Sequence, residues 1–352
     1  MGPRDRTWVE IDLEAVRTNA RTVAARVGGA RLLPMVKADA YGLGAVPIAR
    51  ALEPLEPWGY GVATAAEGRE LREAGITRPV VVLLPTLPML AECARRGLTP
   101  ILGSMNDVRA WLGLGTLPFH IGVDTGMNRG GIWWETFAAE SAAFRDAPGF
   151  EGACTHFHSS DSDPASVREQ WQRLETALAS LPKRPALVHA ANSAAALSHP
   201  EVAGDLVRPG IFLYGGRAGT HLPQPVVTWR ARVGRVAQRA AGTTVSYGAT
   251  FRATAPTWVT TIAAGYADGV RRSLSGRGEV LIEGRRQRLA GTVTMDFIMT
   301  ASDTAPADDA IATLIGSDGA ETITLDDVAE AAGTISYEIL TGLGRRVERV
   351  YR

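Results

Sequence analysis

Short apolar runs alternate with longer stretches of helical periodicity along the first two thirds of the chain. The runs are RLLPMVKA (31–38), WGYGVAT (58–64), PVVVLL (79–84), LTPIL (98–102), FHIGVDT (119–125), FEGACTHF (150–157), ALVHAA (186–191) and DLVRPGI (205–211). Between them, TAAEGRELREAG (64–75) sets Ala66, Leu71 and Ala74 at helical spacing and stops at Gly75, and PASVREQWQRLETALAS (164–180) is helical too. Eight strand-like runs with seven helical stretches predict an α/β fold, a TIM-like (β/α)8 barrel. A doubly wound sheet is the rival, but no Gly-rich dinucleotide loop follows the first run.

The pattern changes near residue 220. Pro223 and Pro225 interrupt the chain, and the stretches that follow, VVTWRARVGRV, TWVTTIAAGYA and GEVLIEGRRQRLAGTVTMDFIMT, are β-rich with turn signals such as Glu283-Gly284. A C-terminal mostly-β domain is expected over 223–352, after a barrel over 10–222. The opening TWVEIDL lends a strand to it, so residues 1–9 are assigned there. The run Arg285-Arg286-Gln287-Arg288 reads as a solvated hairpin edge.

Composition narrows the partners. Of 352 residues, 37 are basic and 37 acidic, so the basic excess of a nucleic-acid binder is missing. No apolar run reaches the 18 or so residues of a membrane span, and the start, MGPRDRTWVEIDL, lacks the apolar core of a signal peptide. Cys93 and Cys154 lie far apart without metal spacing. The expected address is the cytoplasm.

One count bears on chemistry. The cations are almost all Arg, and the two lysines are Lys37 and Lys183. Lys183, in LPKRP, reads as a solvated loop residue. Lys37 falls at the C-terminal end of the first barrel strand, where barrel enzymes keep their chemistry. A buried lysine can lose its proton and act as a nucleophile, which Arg cannot. Arg129, His156, His189, Asn192, Ser193, Arg208, Gly210 and Ile211 fall at the ends of later strands. Ser193 with the backbone N–H groups of Gly210 and Ile211 lies where barrels grip phosphate. A strand-end lysine opposite a phosphate grip suggests a Schiff base to pyridoxal phosphate; a lysine snorkelling at the barrel rim is the plain alternative.

The stretch VKADAYGLG (36–44) resembles the cofactor-lysine signature of alanine racemases. The likeness continues through GVATAAEGRELREAGI, VDTGMNRGGI, THF, HAANSAAAL, VRPGIFLYG, TVSYGATFRA, GYADGVRRSLSGRGEVLIEG, GTVTMD and ISYEIL, in the family's order. The resemblance implies a pyridoxal 5'-phosphate-dependent racemase interconverting L- and D-alanine. Lys37 would carry the cofactor and serve as one base, with Tyr247 as the other on the opposite face, supplied by the partner subunit of a homodimer. It further implies that Arg208 meets the pyridine nitrogen and that Tyr41, Ser193, Gly210, Ile211 and Tyr337 hold the phosphate. Arg129 and the Met295 N–H would take the substrate carboxylate near Asp296. His156 would stand behind Tyr247, Tyr266 would line the access passage, and Asn192 would support the site. Unperturbed, both bases titrate near 10, so Tyr247 needs cationic company, which His156 and Arg208 would supply.

Four positions depart from the family's pattern. Leu43 replaces a His, and Gly122 replaces a lysine often carbamylated to orient the arginine matching Arg129. Thr292 replaces an Arg of the access passage, and Phe297 a commonly polar residue. They leave open a racemase of serine, lysine or broad specificity. A non-catalytic pyridoxal phosphate-binding barrel and a metal-dependent barrel hydrolase are weaker alternatives. The latter would use His156 and His158, with Asp161 and Asp163.

Overall fold

The computed structural model describes residues 5–352; residues 1–4 of the stretch assigned above to the second domain lie outside them. The chain divides into two compact units, one of Val16–Leu213 with Arg217–Pro223, the other of the residues up to Ala15 with Tyr214–Gly216 and Gln224–Arg352.

The first unit is a barrel of parallel strands. After β1 (Thr7–Ile11), which belongs to the other unit, come β2 (Arg31–Leu32), β3 (Tyr60–Val62), β4 (Val80–Leu83), β5 (Thr99–Leu102) and β6 (Phe119–Asp124). They are followed by β7 (Ile132–Trp133), β8 (Phe150–Cys154), β9 (Leu187–His189) and β10 (Leu206–Val207). All eight apolar runs hold a strand, and β7 is a short addition paired to β6. Pairing runs β3-β4-β5-β6-β8-β9, and β2 pairs with β10. The ring closes through a parallel bridge from Met35 to Gly61 and a hydrogen bond from Asp205 N to Val188 O. Leu33, Val81, Ile101, Cys154, Leu187 and Leu206 fill the interior. The helix Ala65–Glu73 starts at a capping box between Thr64 and Glu67 and ends before Gly75, whose φ is +88°. Its buried stripe is Ala65, Gly68 and Leu71, with Ala66 outside. Gly68 is there for closeness, since a Cβ would stand 2.6 Å from a Leu98 methyl.

The second unit is mostly β. Thr7–Ile11 pairs antiparallel with the long strand Val227–Arg239 and parallel with Glu348–Tyr351. Glu279–Ile282 and Arg285–Arg288 form a two-residue hairpin whose turn, Glu283 at φ +52° and Gly284 at φ +72°, has the paired positive angles of a type I′ turn. Arg286 pairs with Glu279 and Glu321, and Gln287 is buried and accepts a hydrogen bond from Thr300. The helices Leu325–Ala332 and Ser336–Thr341 complete it.

Candidate active site

Lys37 does not end a strand. The chain leaves the barrel at Met35, and Lys37 opens a left-handed helical turn in which Ala38, Asp39, Ala40 and Tyr41 all have φ between +50° and +58°. Non-glycine residues pay about 1–2 kcal/mol each for that conformation, so the turn must be held from outside. The Glu67 carboxylate accepts the Ala38 N–H at 2.8 Å with one oxygen and the Ala63 and Thr64 N–H groups with the other. Asp39 accepts the Ala45 N–H at 2.7 Å. Strain maintained this way is characteristic of functional sites. Leu43, one of the departures, is fully buried in the core, and its N–H donates to the Ala40 carbonyl.

The turn brings Tyr41 beneath the end of β10. A Cβ at position 210 would lie 2.3 Å from the Tyr41 hydroxyl oxygen, so Gly210 is required for that approach. Ser193 Oγ accepts the Gly210 N–H at 2.9 Å, and Ile211 opens the short turn Ile211–Tyr214. Asn192 caps the helix Ser193–Ser198 through the Ala195 N–H and accepts from Ser160 Oγ at 2.8 Å. Hydroxyls of Tyr41 and Ser193 and the amides of this turn thus converge at the strand ends.

Arg208 is the electrostatic centre of the barrel. It is buried, and its guanidinium donates to the carbonyls of Thr155, His189 and Ala190 at 2.7–3.0 Å. It also reaches Nδ1 of His189 at 2.7 Å and Nδ1 of His156 at 3.1 Å. Arg can only donate, so both Nδ1 atoms accept and both rings carry their proton on Nε2. Burial first, and Arg208 next, hold both histidines well below the ordinary imidazole range. His156 is therefore neutral. This corrects the expectation that it brings positive charge to Tyr247: the charge is on Arg208, and His156 offers an Nε2–H.

The Lys37 amine is half-buried, and burial, then Arg129, then Arg208 lower its pKa against the opposing charge of Glu67. Arg129 is exposed after β6, and among the described residues its guanidinium makes no hydrogen bond or ion pair. Beside Gly122, one of the departures, the space is taken by Ile101 and by Leu84, a residue at φ +48°. Cβ atoms at Gly103, Gly122 and Gly130 would stand 2.7, 3.4 and 3.1 Å from Leu84 methyls. His156 and His158 do not act together: His158 is exposed and bonds Ser159 Oγ at 2.7 Å. Cys154 and Cys93 are buried thiols pushed up to about 11 by burial, packing residues rather than nucleophiles.

The remaining candidates lie in the β unit. Tyr247 is 74% exposed on a turn with Ser246 at φ +66°, Gly248 at φ +73° and Ala249 at φ +50°. Thr292 Oγ1 donates to the Tyr247 carbonyl at 2.9 Å while Ser246 Oγ donates to the Thr292 carbonyl at 2.6 Å, a clasp between the two loops. Tyr266 N donates to Thr294 O and Ala267 N to Met295 O, so Tyr266 and Met295 are neighbours. Arg346 grips buried Asp268 with two nitrogens and Asp296 at 2.7 Å. Arg6 lies over the Phe297 ring at 5.3 Å. Tyr337 is exposed at the start of the helix Ser336–Thr341. Sequence reasoning missed Glu67 and Arg346. Both act on backbone and carboxylates rather than on a reacting centre, though the Thr64/Glu67 capping spacing was visible.

The model of the alanine racemase N-terminal domain matches residues 11–218, and that of the alanine racemase C-terminal domain matches 226–351. The chain belongs to the alanine racemase family. The alanine racemase of Carboxydothermus hydrogenoformans is 40% identical across 98% of this chain and 99% of its own, and that of Symbiobacterium thermophilum 41% identical across 98% and 97%. Among solved structures, alanine racemase from E. faecalis superposes with a TM-score of 0.93 at 33% identity, covering 98% of each chain. Alanine racemase from Bartonella henselae with covalently bound pyridoxal phosphate superposes with a TM-score of 0.91 at 30% identity, covering 99% of this chain and all of that one.

Proposed function

We propose that this protein interconverts L- and D-alanine using pyridoxal phosphate held on Lys37. The carrying observation is the Lys37 amine: half-buried, lowered in pKa by burial and two arginines, and fixed on a strained turn beside the hydroxyls and amides of Tyr41, Ser193, Gly210 and Ile211. Those groups fit a phosphate, and Arg208 fits an aromatic nitrogen that accepts a hydrogen bond. Bound there, the cofactor supplies a sink for the electron pair left when the Cα–H bond of the substrate breaks.

This chain's own groups then do the rest. Arg129, unpaired and exposed, receives the substrate carboxylate, and the Met295 N–H joins it. Lys37 Nζ exchanges the α-proton on one face and Tyr247 Oη on the other, so neither base must cross the substrate plane. Arg208 does not give up its proton, so it would leave a cofactor nitrogen held there unprotonated and the electron sink modest. His156 offers its Nε2–H as a hydrogen-bond donor to the Tyr247 oxygen supplied by the second copy. Tyr247, Tyr266, Met295 and Tyr337 are large side chains left exposed on the β unit, which suits a homodimer in which Tyr247 serves the barrel of a second copy.

Alanine is the first substrate because two departures are absorbed locally: Thr292 is engaged with Tyr247 O and Phe297 stacks under Arg6. The match over 226–351 speaks against a barrel that merely carries the cofactor. Among the described residues no helix is long and apolar enough to cross a membrane. Borohydride reduction of the loaded protein followed by peptide mapping is expected to place the cofactor on Lys37, and a label on Lys183 or on neither lysine contradicts the proposal. A screen of L-amino acids is expected to rank alanine first in kcat/KM; serine ahead of it would change the substrate.

A further inference from the structure

Beneath Arg208 the barrel interior contains a column of polar groups that the reaction does not use. His189 is buried, accepts from Arg208 at Nδ1, and places its Nε2 2.8 Å from Nδ1 of His120, which is buried too. The other nitrogen of His120 makes no hydrogen bond among the described residues, and Glu151 Oε1 stands 3.4 Å from it. Because Arg208 can only donate, the polarity of the whole column is set from the top. His189 Nδ1 accepts, so its proton is on Nε2 and is donated to His120 Nδ1. The proton of His120 is then on its Nε2, facing the carboxylate.

Two independent features show that the column is built. The pairing of β6 with β8 slips between Phe119 and His120, where Phe119 faces Phe150 but His120 faces Gly152. Glu151 is the extra residue of that bulge, and bulges re-aim side chains. At Gly152 a Cβ would lie 2.6 Å from the His120 ring. Only glycine admits the imidazole, and Trp58 covers it with ring centroids 5.9 Å apart.

We infer that His120, seated on Gly152 and faced by the bulged Glu151, is a positioning residue that locks His189 in its Nε2–H form and thereby holds the Arg208 guanidinium in one orientation. The tautomer assignment stands on its own geometry. Its consequence for the cofactor nitrogen rests on the function proposed above.

Nitrogen-15 spectra of histidine-labelled protein, first without cofactor and then loaded with pyridoxal phosphate, test it. In both, His120 and His189 are expected as neutral Nε2–H rings, with the His189 proton strongly deshielded by its bond to His120. His120→Phe removes the acceptor and is expected to abolish that deshielded signal. It should lower kcat on the order of tenfold, the effect of one buried donor left unpaired, with KM changed less than about twofold. His120→Gln, whose carbonyl can accept in place of Nδ1, is expected to restore the signal and most of kcat. An Nδ1–H form of either ring in the native protein overturns the inference, whatever the variants do. So does a folded His120→Phe protein with unchanged His189 signals and unchanged kcat. The spectra of the cofactor-free protein do not depend on pyridoxal phosphate, so a failure there is distinct from a failure of the borohydride experiment, which tests the function itself.

Discussion

The two units present their site residues in opposite ways. In the barrel, Arg208 is enclosed by three carbonyls and two imidazoles, and Lys37 is fixed by a turn whose left-handed angles Glu67 maintains. In the β unit, Tyr247 is held through its backbone, by Thr292, and among the described residues its exposed phenol makes no hydrogen bond. Buried donors over-determine the first set, because each would cost about 1–3 kcal/mol if left unpaired. Nothing in its own unit determines the second set in that way. A phenol proposed as a base and exposed like this calls for a second surface to cover it, which is the physical case for the proposed homodimer.

The largest effect that probes this contrast is on Lys37. Lys37→Arg keeps the charge and removes the titratable amine, so racemisation is expected to fall by more than about 10³-fold in a chiral assay, with the fold intact by circular dichroism. Next is the centre of the buried set. Arg208→Met leaves three carbonyls and two imidazole nitrogens without their donor, and urea unfolding is expected to show a loss of roughly 3 kcal/mol. The corresponding Tyr247→Phe change should leave stability within about 0.5 kcal/mol, as for an exposed side chain. Equal losses at both positions would erase the contrast.

A smaller effect is expected on affinity. Gly210→Ala drives a Cβ into the Tyr41 hydroxyl at 2.3 Å, and cofactor titration should show roughly tenfold weaker binding, the equivalent of one lost hydrogen bond. Smaller again is an effect on pH. Arg129 lowers the Lys37 pKa, so removing it raises that pKa. In Arg129→Ala, amine labelling of cofactor-free protein, with Lys183 as internal reference, is expected to reach half-reaction of Lys37 at higher pH than in the native chain. Glu67→Gln removes a charge of the opposite sign and should move the midpoint downward.

Much of this was legible in the sequence, for identifiable reasons. Apolar runs bounded by helical periodicity report barrel strands because burial on both faces demands them, and all eight did. The strand-end rule brought Ser193, Arg208 and Gly210 together, and it found Lys37 only nearly, since that residue opens the turn that follows the barrel strand. The left-handed turn at 38–41 was not legible, because Ala and Tyr disfavour that conformation, one Asp alone does not signal it, and the restraint comes from Glu67 far along the chain. The neutrality of His156 was hidden as well, since it follows from which atom of Arg208 meets which nitrogen. The buried stripe of the helix Ala65–Glu73 shares only Leu71 with its sequence pattern, because Gly68 passes for a weak point in a helix until the Leu98 methyl beside it is seen.

Mixing two inactive variants is the decisive test of a shared site. If Lys37→Ala and Tyr247→Phe subunits exchange freely, half of the dimers are mixed and each mixed dimer has one site with both native bases. About a quarter of native activity is then expected to return. A mixture that exchanges subunits, shown by mass spectrometry of the mixed dimer, and yet stays inactive would contradict a site built from one copy's buried amine and the other's exposed phenol.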